Sequence, residues 1–139
     1  MAKNFIDLIF QLKSSCQAKE EKIRQDLNLS PAEFRGILAI IPGSEIPCNI
    51  LAKKMGLSIS RGSRVIDKLL NNSYLKGRKN EKDHRITTVT LSQKGVSVQK
   101  KIHQILEDCE HTILKSMDRN ELKALENSLI KLSDILVSN

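Results

Sequence analysis

Aromatic residues are nearly missing from this chain. Its 139 residues include no tryptophan, one tyrosine (Tyr74) and three phenylalanines (Phe5, Phe10, Phe34). Proteins that hold single-stranded nucleic acid stack bases on several rings, and that supply is absent. Cysteine is scarce and odd in number: Cys16, Cys48 and Cys109 show no paired spacing. A disulfide framework is excluded on that pattern, and a reducing cytoplasm fits it. No apolar run reaches the roughly 18 residues of a transmembrane helix. Asp7 interrupts the apolar N-terminus and no small-residue cleavage site follows, so it does not read as a signal peptide. There is no P-loop, no glycine-rich dinucleotide turn and no His-Glu-x-x-His. The scattered histidines (His84, His103, His111) and cysteines form no nucleophile–base set, so no enzyme is expected.

What is present suits one ordinary globular domain spanning 1–139, with 40% hydrophobic and 28% charged residues. The formal net charge is +7, and its placement is uneven. Residues 1–52 carry six basic and six acidic side chains, and residues 86–139 carry seven of each. Residues 53–85 hold ten Lys/Arg against Asp67, Glu81 and Asp83, so the whole excess lies there. A solvated charged face would spread the excess evenly; a neutral body with one basic segment reads as a footprint for a polyanion. With so few rings, that polyanion is read as duplex nucleic acid.

The apolar periodicity predicts a helix over residues 4–28, through Phe5, Leu8, Ile9, Leu12, Cys16, Ile23 and Leu27. The polar stretch from Lys13 to Glu21 should either break it or be solvated. Ser30, Pro31 and Glu33 mark the start of a second helix with a capping box. Phe34, Ile37, Leu38 and Ile41 supply its buried stripe, and Pro42-Gly43 ends it. A short helix follows from Pro47 to Lys54 with Ile50, Leu51 and Met55 inward, then a turn at Gly56. Ser58 or Ser60 caps the next helix, which runs to Asn71. Ile59, Ile66, Leu69 and Leu70 lie on its apolar side; Ser60, Arg61, Ser63, Arg64 and Lys68 lie on the other. This is a helix-turn-helix pattern, whose second helix enters the major groove.

The period then changes to two. Residues 74–79 and 86–91 read as strands, and Asn80 to Arg85 as a polar loop between them. The result is a basic-tipped hairpin, hence a winged helix, with Lys82 and Arg85 at or near the tip. A narrow, electronegative minor groove attracts such an arginine. Ser92 caps a long helix reaching Met117, striped by Val98, Ile102, Ile105, Leu106, Cys109, Ile113 and Met117. Asp118 and Glu121 begin a last helix. There Leu122, Leu125, Leu129, Leu132 and Leu136 recur at three- and four-residue steps, a narrow seam that suggests a partner helix. The fold class is therefore mainly α with a small β-hairpin wing: a winged helix-turn-helix lobe (30–92) flanked by N- and C-terminal dimerisation helices (1–28 and 93–139). The expected dimer interface comprises Phe5, Leu8, Leu12, Ile113, Leu122, Leu125, Leu129, Leu132 and Leu136.

The run from Leu51 to Leu69 resembles the helix-turn-helix of the MarR family of transcriptional regulators. The run from Lys76 to Gly95 resembles that family's wing and the start of its long fifth helix. Its most specific part is Asp83-x-Arg85 followed by Val89-x-Leu91-Ser92-x-x-Gly95. Motif-level similarity covers residues 51–95, and beyond it the match rests on helix order and length. The resemblance implies a cytoplasmic homodimer that binds a pseudo-palindromic double-stranded DNA operator, usually as a repressor, and is released by a small-molecule effector or another signal. It places Ser60, Arg61, Ser63 and Arg64 toward the major groove, where arginine reads guanine bidentately. It places Arg85 in the minor groove, oriented by Asp83 through a charge-assisted hydrogen bond. Lys68, Arg78, Lys79 and Lys82 suit phosphate contacts, which position without specifying.

Gly62 and Ser73 depart from the pattern. Gly62 stands where a small branched or apolar residue is common, which suggests a soft recognition helix or a close approach to DNA. Ser73 replaces a helix-ending glycine, and Asn72 is the residue suited to a left-handed turn. No cofactor and no metal are expected. Cys16 sits on the apolar stripe and reads as a buried structural cysteine. His103, Glu107 and His111 are i, i+4 neighbours that could form part of a zinc site, without a second ligand cluster. The alternative to an operator-specific regulator is an architectural DNA binder with weak sequence preference.

Overall fold

The computed structural model describes residues 4–138. Residues 1–3 and 139, the ends of the expected 1–139 domain, lie outside the described residues. The chain runs α1 (Phe5–Leu27), α2 (Pro31–Ala39), β1 (Ile46–Pro47), α3 (Cys48–Lys54), α4 (Ile59–Asn71), β2 (Leu75–Lys79), β3 (Ile86–Leu91), α5 (Gln93–Ser116) and α6 (Arg119–Ser138). It divides into two compact units, one reaching Lys100 and one from Lys101 onward. No described helix is long and apolar enough to cross a membrane.

Local signals set most helix ends. The Asn4 side chain accepts from the Asp7 amide, starting α1. Asn28 closes it in the left-handed conformation (φ 55°), which asparagine tolerates better than most residues. Between them α1 is unbroken, and its polar middle is solvated. Ser30 and Glu33 form the capping box of α2, with bonds of 3.1 and 3.2 Å. Asp118 and Glu121 repeat the motif at α6. The expected end of α2 at Pro42-Gly43 is corrected: the helix stops at Ala39, and Ile40 is already extended. Buried Gln99 donates to the carbonyls of Ile37 and Ile40, groups that this helix end leaves without amide partners.

The first unit's core joins Ile37, Leu51, Met55, Leu69 and Val89, all essentially inaccessible. Gly36 lets α2 lie close to that core: a β-carbon there would sit 2.9 Å from the Met55 sulfur. Three expected core positions are corrected. Ile41 (70% exposed), Ile59 (68%) and Ile50 (42%) face solvent, because α2 ends before Ile41 and the buried sides of α3 and α4 are carried by Leu51–Ala52 and by Gly62, Ile66 and Leu69. The sheet is also larger than the expected hairpin. Its order is β1-β3-β2, antiparallel throughout, with Ile46 opposite Val89 on one side and Gly77 opposite Val89 on the other.

In the second unit, α6 has no buried residue. Leu125, Leu129, Leu136 and Ile113 are exposed there, and Leu122 and Leu132 are half-buried. Phe5, Leu8 and Leu12 on α1 are likewise exposed, Phe5 at 86%. Cys16 is exposed as well, contrary to the expected burial, because it lies on a part of α1 from which only Ile23 is buried.

Candidate nucleic-acid interface

Helix α4 is held by a close helix crossing. The turn between α3 and α4 uses Gly56 at φ 73°, a left-handed conformation that glycine adopts without steric cost. Ser58, rather than Ser60, caps α4: its hydroxyl accepts from the Arg61 amide at 3.2 Å. Gly62 is buried, and a β-carbon there would land on the Ala52 side chain and 3.0 Å from the Ala52 α-carbon. Its missing side chain therefore serves the approach of α3 to α4. The expectation that it softens the helix or admits DNA is corrected.

With Gly62, Ile66 and Leu69 facing in, the spacing leaves Ser60, Arg61, Ser63, Arg64 and Lys68 exposed on the opposite side. Among the described residues, Arg61 and Arg64 have no ion-pair partner, so both guanidinium groups are available to an outside acceptor. Lys68 is partly engaged: its Nζ lies 3.7 Å from Oε1 of Glu33, a buried carboxylate that also closes the α2 cap. The end of α4 corrects the turn assignment. Asn72 is near-helical (φ −87°, ψ 8°), and Ser73 takes the left-handed position at φ 65°. Lys94 Nζ donates to the Asn72 carbonyl at 2.7 Å and sits 4.3 Å over the Tyr74 ring, a cation at a helix C-terminus.

The wing joins β2 to β3 through a hydrogen-bonded loop. The Asn80 amide donates to the Arg85 carbonyl at 2.7 Å, and the His84 amide donates to the Asn80 carbonyl at 3.0 Å. The Asn80 side chain accepts from the Lys82 amide at 2.8 Å, an Asx turn. The register shifts between Arg78 (opposite Thr88) and Lys79 (opposite Ile86), a bulge that re-aims the wing. Asp83 binds Arg85 three times: Oδ1 accepts the backbone amide at 3.1 Å, and Oδ2 accepts Nε at 3.1 Å and Nη2 at 2.9 Å. Those bonds, the backbone one first, hold the Asp83 carboxyl below the usual carboxylate range. The Arg85 guanidinium is thereby aimed while its side chain stays 83% exposed.

Lys79 and Lys82 are exposed, with no ion pair among the described residues. Arg78 differs: its Nη1 donates to both carboxylate oxygens of Glu45 at 3.2 and 3.3 Å. Sequence reasoning missed Glu45, Lys94, the Lys68–Glu33 pair and Asn80. Only Asn80 carried a local signal, its Asx-turn spacing to Lys82; the others meet across 20 to 35 positions of chain and leave no periodic trace. His103, Glu107 and His111 are exposed on α5, and no cluster of three metal-capable side chains occurs among the described residues. Burial pushes the Cys48 thiol up, and neighbouring Asp67 adds to it.

No family profile matches the chain. A curated relative from Clostridium symbiosum, the HTH-type transcriptional regulator BilQ, is 33% identical over 70 residues. That match spans 50% of this chain and 49% of BilQ, so the chain covers about half the length of the curated relative it matches. Solved structures match over nearly the whole chain. A Staphylococcus aureus MepR variant aligns with TM-score 0.80 at 13% identity, covering 96% of this chain and 99% of that one. Streptococcus pneumoniae FabT, solved in complex with DNA, also gives 0.80, at 16% identity over 97% and 99%. A mutant of Escherichia coli MarR gives 0.71, at 20% identity over 95% and 98%. These neighbours are MarR-type winged-helix regulators, and the chain has their fold.

Proposed function

We propose that the chain is a MarR-type transcriptional regulator that binds double-stranded DNA sequence-specifically, as a cytoplasmic homodimer on a pseudo-palindromic operator. The observation that carries this reading is the pairing of two aimed cationic elements in one lobe. Arg61 and Arg64 project unpaired from a helix fixed by the Ala52–Gly62 crossing. Arg85 projects from a wing whose loop and carboxylate hold it in place. The first arrangement suits major-groove base edges and the second suits the minor groove. Exposed leucine stripes on α1, α5 and α6 support the homodimer. The regulatory direction we assign is repression, relieved by a small-molecule or other signal.

Fluorescence anisotropy tests this reading, using the fragment upstream of the protein's own gene against scrambled DNA at two salt concentrations. Preferential binding to the upstream fragment with a steep salt dependence is the expected result. Equal, salt-sensitive binding to both would favour an architectural DNA binder, and salt-insensitive binding would remove phosphate contact from the account.

A further inference from the structure

Arg78 lies in the basic segment but is not a free cation. Glu45 follows the Gly43 turn and immediately precedes β1, on the opposite side of β3 from β2. Its carboxylate reaches across β3 to Arg78, whose cross-strand partner is Thr88. Lys76 and Arg78, two apart on β2, share that face. A cavity of about 110 Å³ lies beside the pair, lined also by Thr88 and Thr90. Among the described residues only one guanidinium nitrogen is used, and the side chains remain 73% and 48% exposed. The contact is therefore within reach of solvent ions and releasable. Glu45 also belongs to the electrically neutral 1–52 segment, so it is a negative charge set against the basic footprint by the fold.

We propose that Glu45 is a charge brake on the wing. It holds Arg78 in an ion pair that a DNA phosphate must displace, and it thereby lowers duplex affinity and the number of phosphates the protein neutralises. Glu45 acts through Arg78 and is a positioning residue. The inference rests on the DNA-binding reading above.

The test compares Glu45→Gln with Glu21→Gln, which removes the same charge from an exposed α1 residue that has no ion pair among the described residues. Both are titrated against duplex over a salt series and run on heparin. Exposed pairs of this kind are worth enough that Glu45→Gln should bind duplex about two- to fivefold more tightly than the native chain. Its log K against log salt slope should steepen by about one, the increment for one added phosphate contact, and it should leave heparin at higher salt than Glu21→Gln. In an Arg78→Gln background the gain from Glu45→Gln should vanish. A Glu45→Gln protein that tracks Glu21→Gln, or a gain that survives the loss of Arg78, overturns the brake while DNA binding stands. A native chain that binds neither duplex nor heparin overturns both.

Discussion

The segment from Leu29 to Leu91 and the helices on either side of it treat their apolar side chains in opposite ways. In that segment Leu29, Phe34, Ile37, Ile40, Leu51, Met55, Ile66, Leu69, Leu75, Val89 and Leu91 are buried, and its polar ends are capped or bonded. In α1 only Ile23 is buried, in α5 Val98 and Ile102 are buried near its start while Ile105, Leu106, Ile113 and Leu114 are exposed, and in α6 nothing is buried. Buried apolar area contributes roughly 25 cal/mol per Å². The central lobe thus carries its own stabilisation, whereas the flanking stripes gain theirs only by being covered. On the proposed reading, one region presents cations to duplex DNA and the other presents leucines to a second copy.

Putting a charge into the leucine seam breaks the comparison most severely. If the proposed homodimer uses this seam, Leu129→Asp should abolish it and lower helicity, since an unpaired charge buried against a partner is among the largest single-residue penalties. Light scattering with circular dichroism reads both. A well-folded dimer of this variant would show that the seam is not the interface.

Within the lobe, Gly62→Ala sharpens the comparison. A helix interior normally gains about 1 kcal/mol from such a change. Here the new methyl meets Ala52, including its backbone, and overpacking of that kind costs about 1–3 kcal/mol. The melting temperature should therefore fall, with partial recovery in Ala52→Gly/Gly62→Ala. A rise in melting temperature would show that the crossing has slack.

Arg85→Ala should weaken operator binding by about 1–3 kcal/mol and leave the dimer intact. Unchanged affinity in the anisotropy titration would remove Arg85 from the interface.

What could be read in advance follows the range of the forces involved. The caps at Ser30, Ser92 and Asp118 act within three residues, and each stands where the sequence placed it. The Asp83–Arg85 contact is equally local. Gly62 was legible as an anomaly but not as a reason, because the atom it avoids belongs to Ala52 on another helix. β1 has only two residues and owes its existence to pairing with Val89 and Thr88, more than forty positions away. Ile41, Ile50 and Ile59 share the hydrophobicity of core residues, and only the end of α2 and the rotation of α3 and α4 decide that they face water. Ser73 rather than Asn72 turns left-handed because the helix end closes with the Tyr74 amide on the Leu69 carbonyl and the Ser73 amide on the Leu70 carbonyl, which puts the left-handed residue at Ser73.

The smallest effect expected concerns the wing alone. The Asp83 carboxyl is held below the usual carboxylate range by the Arg85 amide and guanidinium. A group depressed in the folded state stabilises it fully above its ordinary value and loses that contribution as pH falls through the depressed value. Wing order should therefore persist through the ordinary carboxylate range and fade only below it. The NMR signal of the Arg85 Nε–H reports this directly, moving to its solvent-exposed position as Asp83 protonates. In Asp83→Asn the acid transition should disappear, and the Arg85 signal should sit near the exposed position at neutral pH. A native transition centred on the ordinary carboxylate value would mean that Asp83 does not hold Arg85 in solution, and the aimed wing would reduce to a mobile cation like Lys82. The lobe's core, which contains no side chain of the wing loop, should be unaffected in either case.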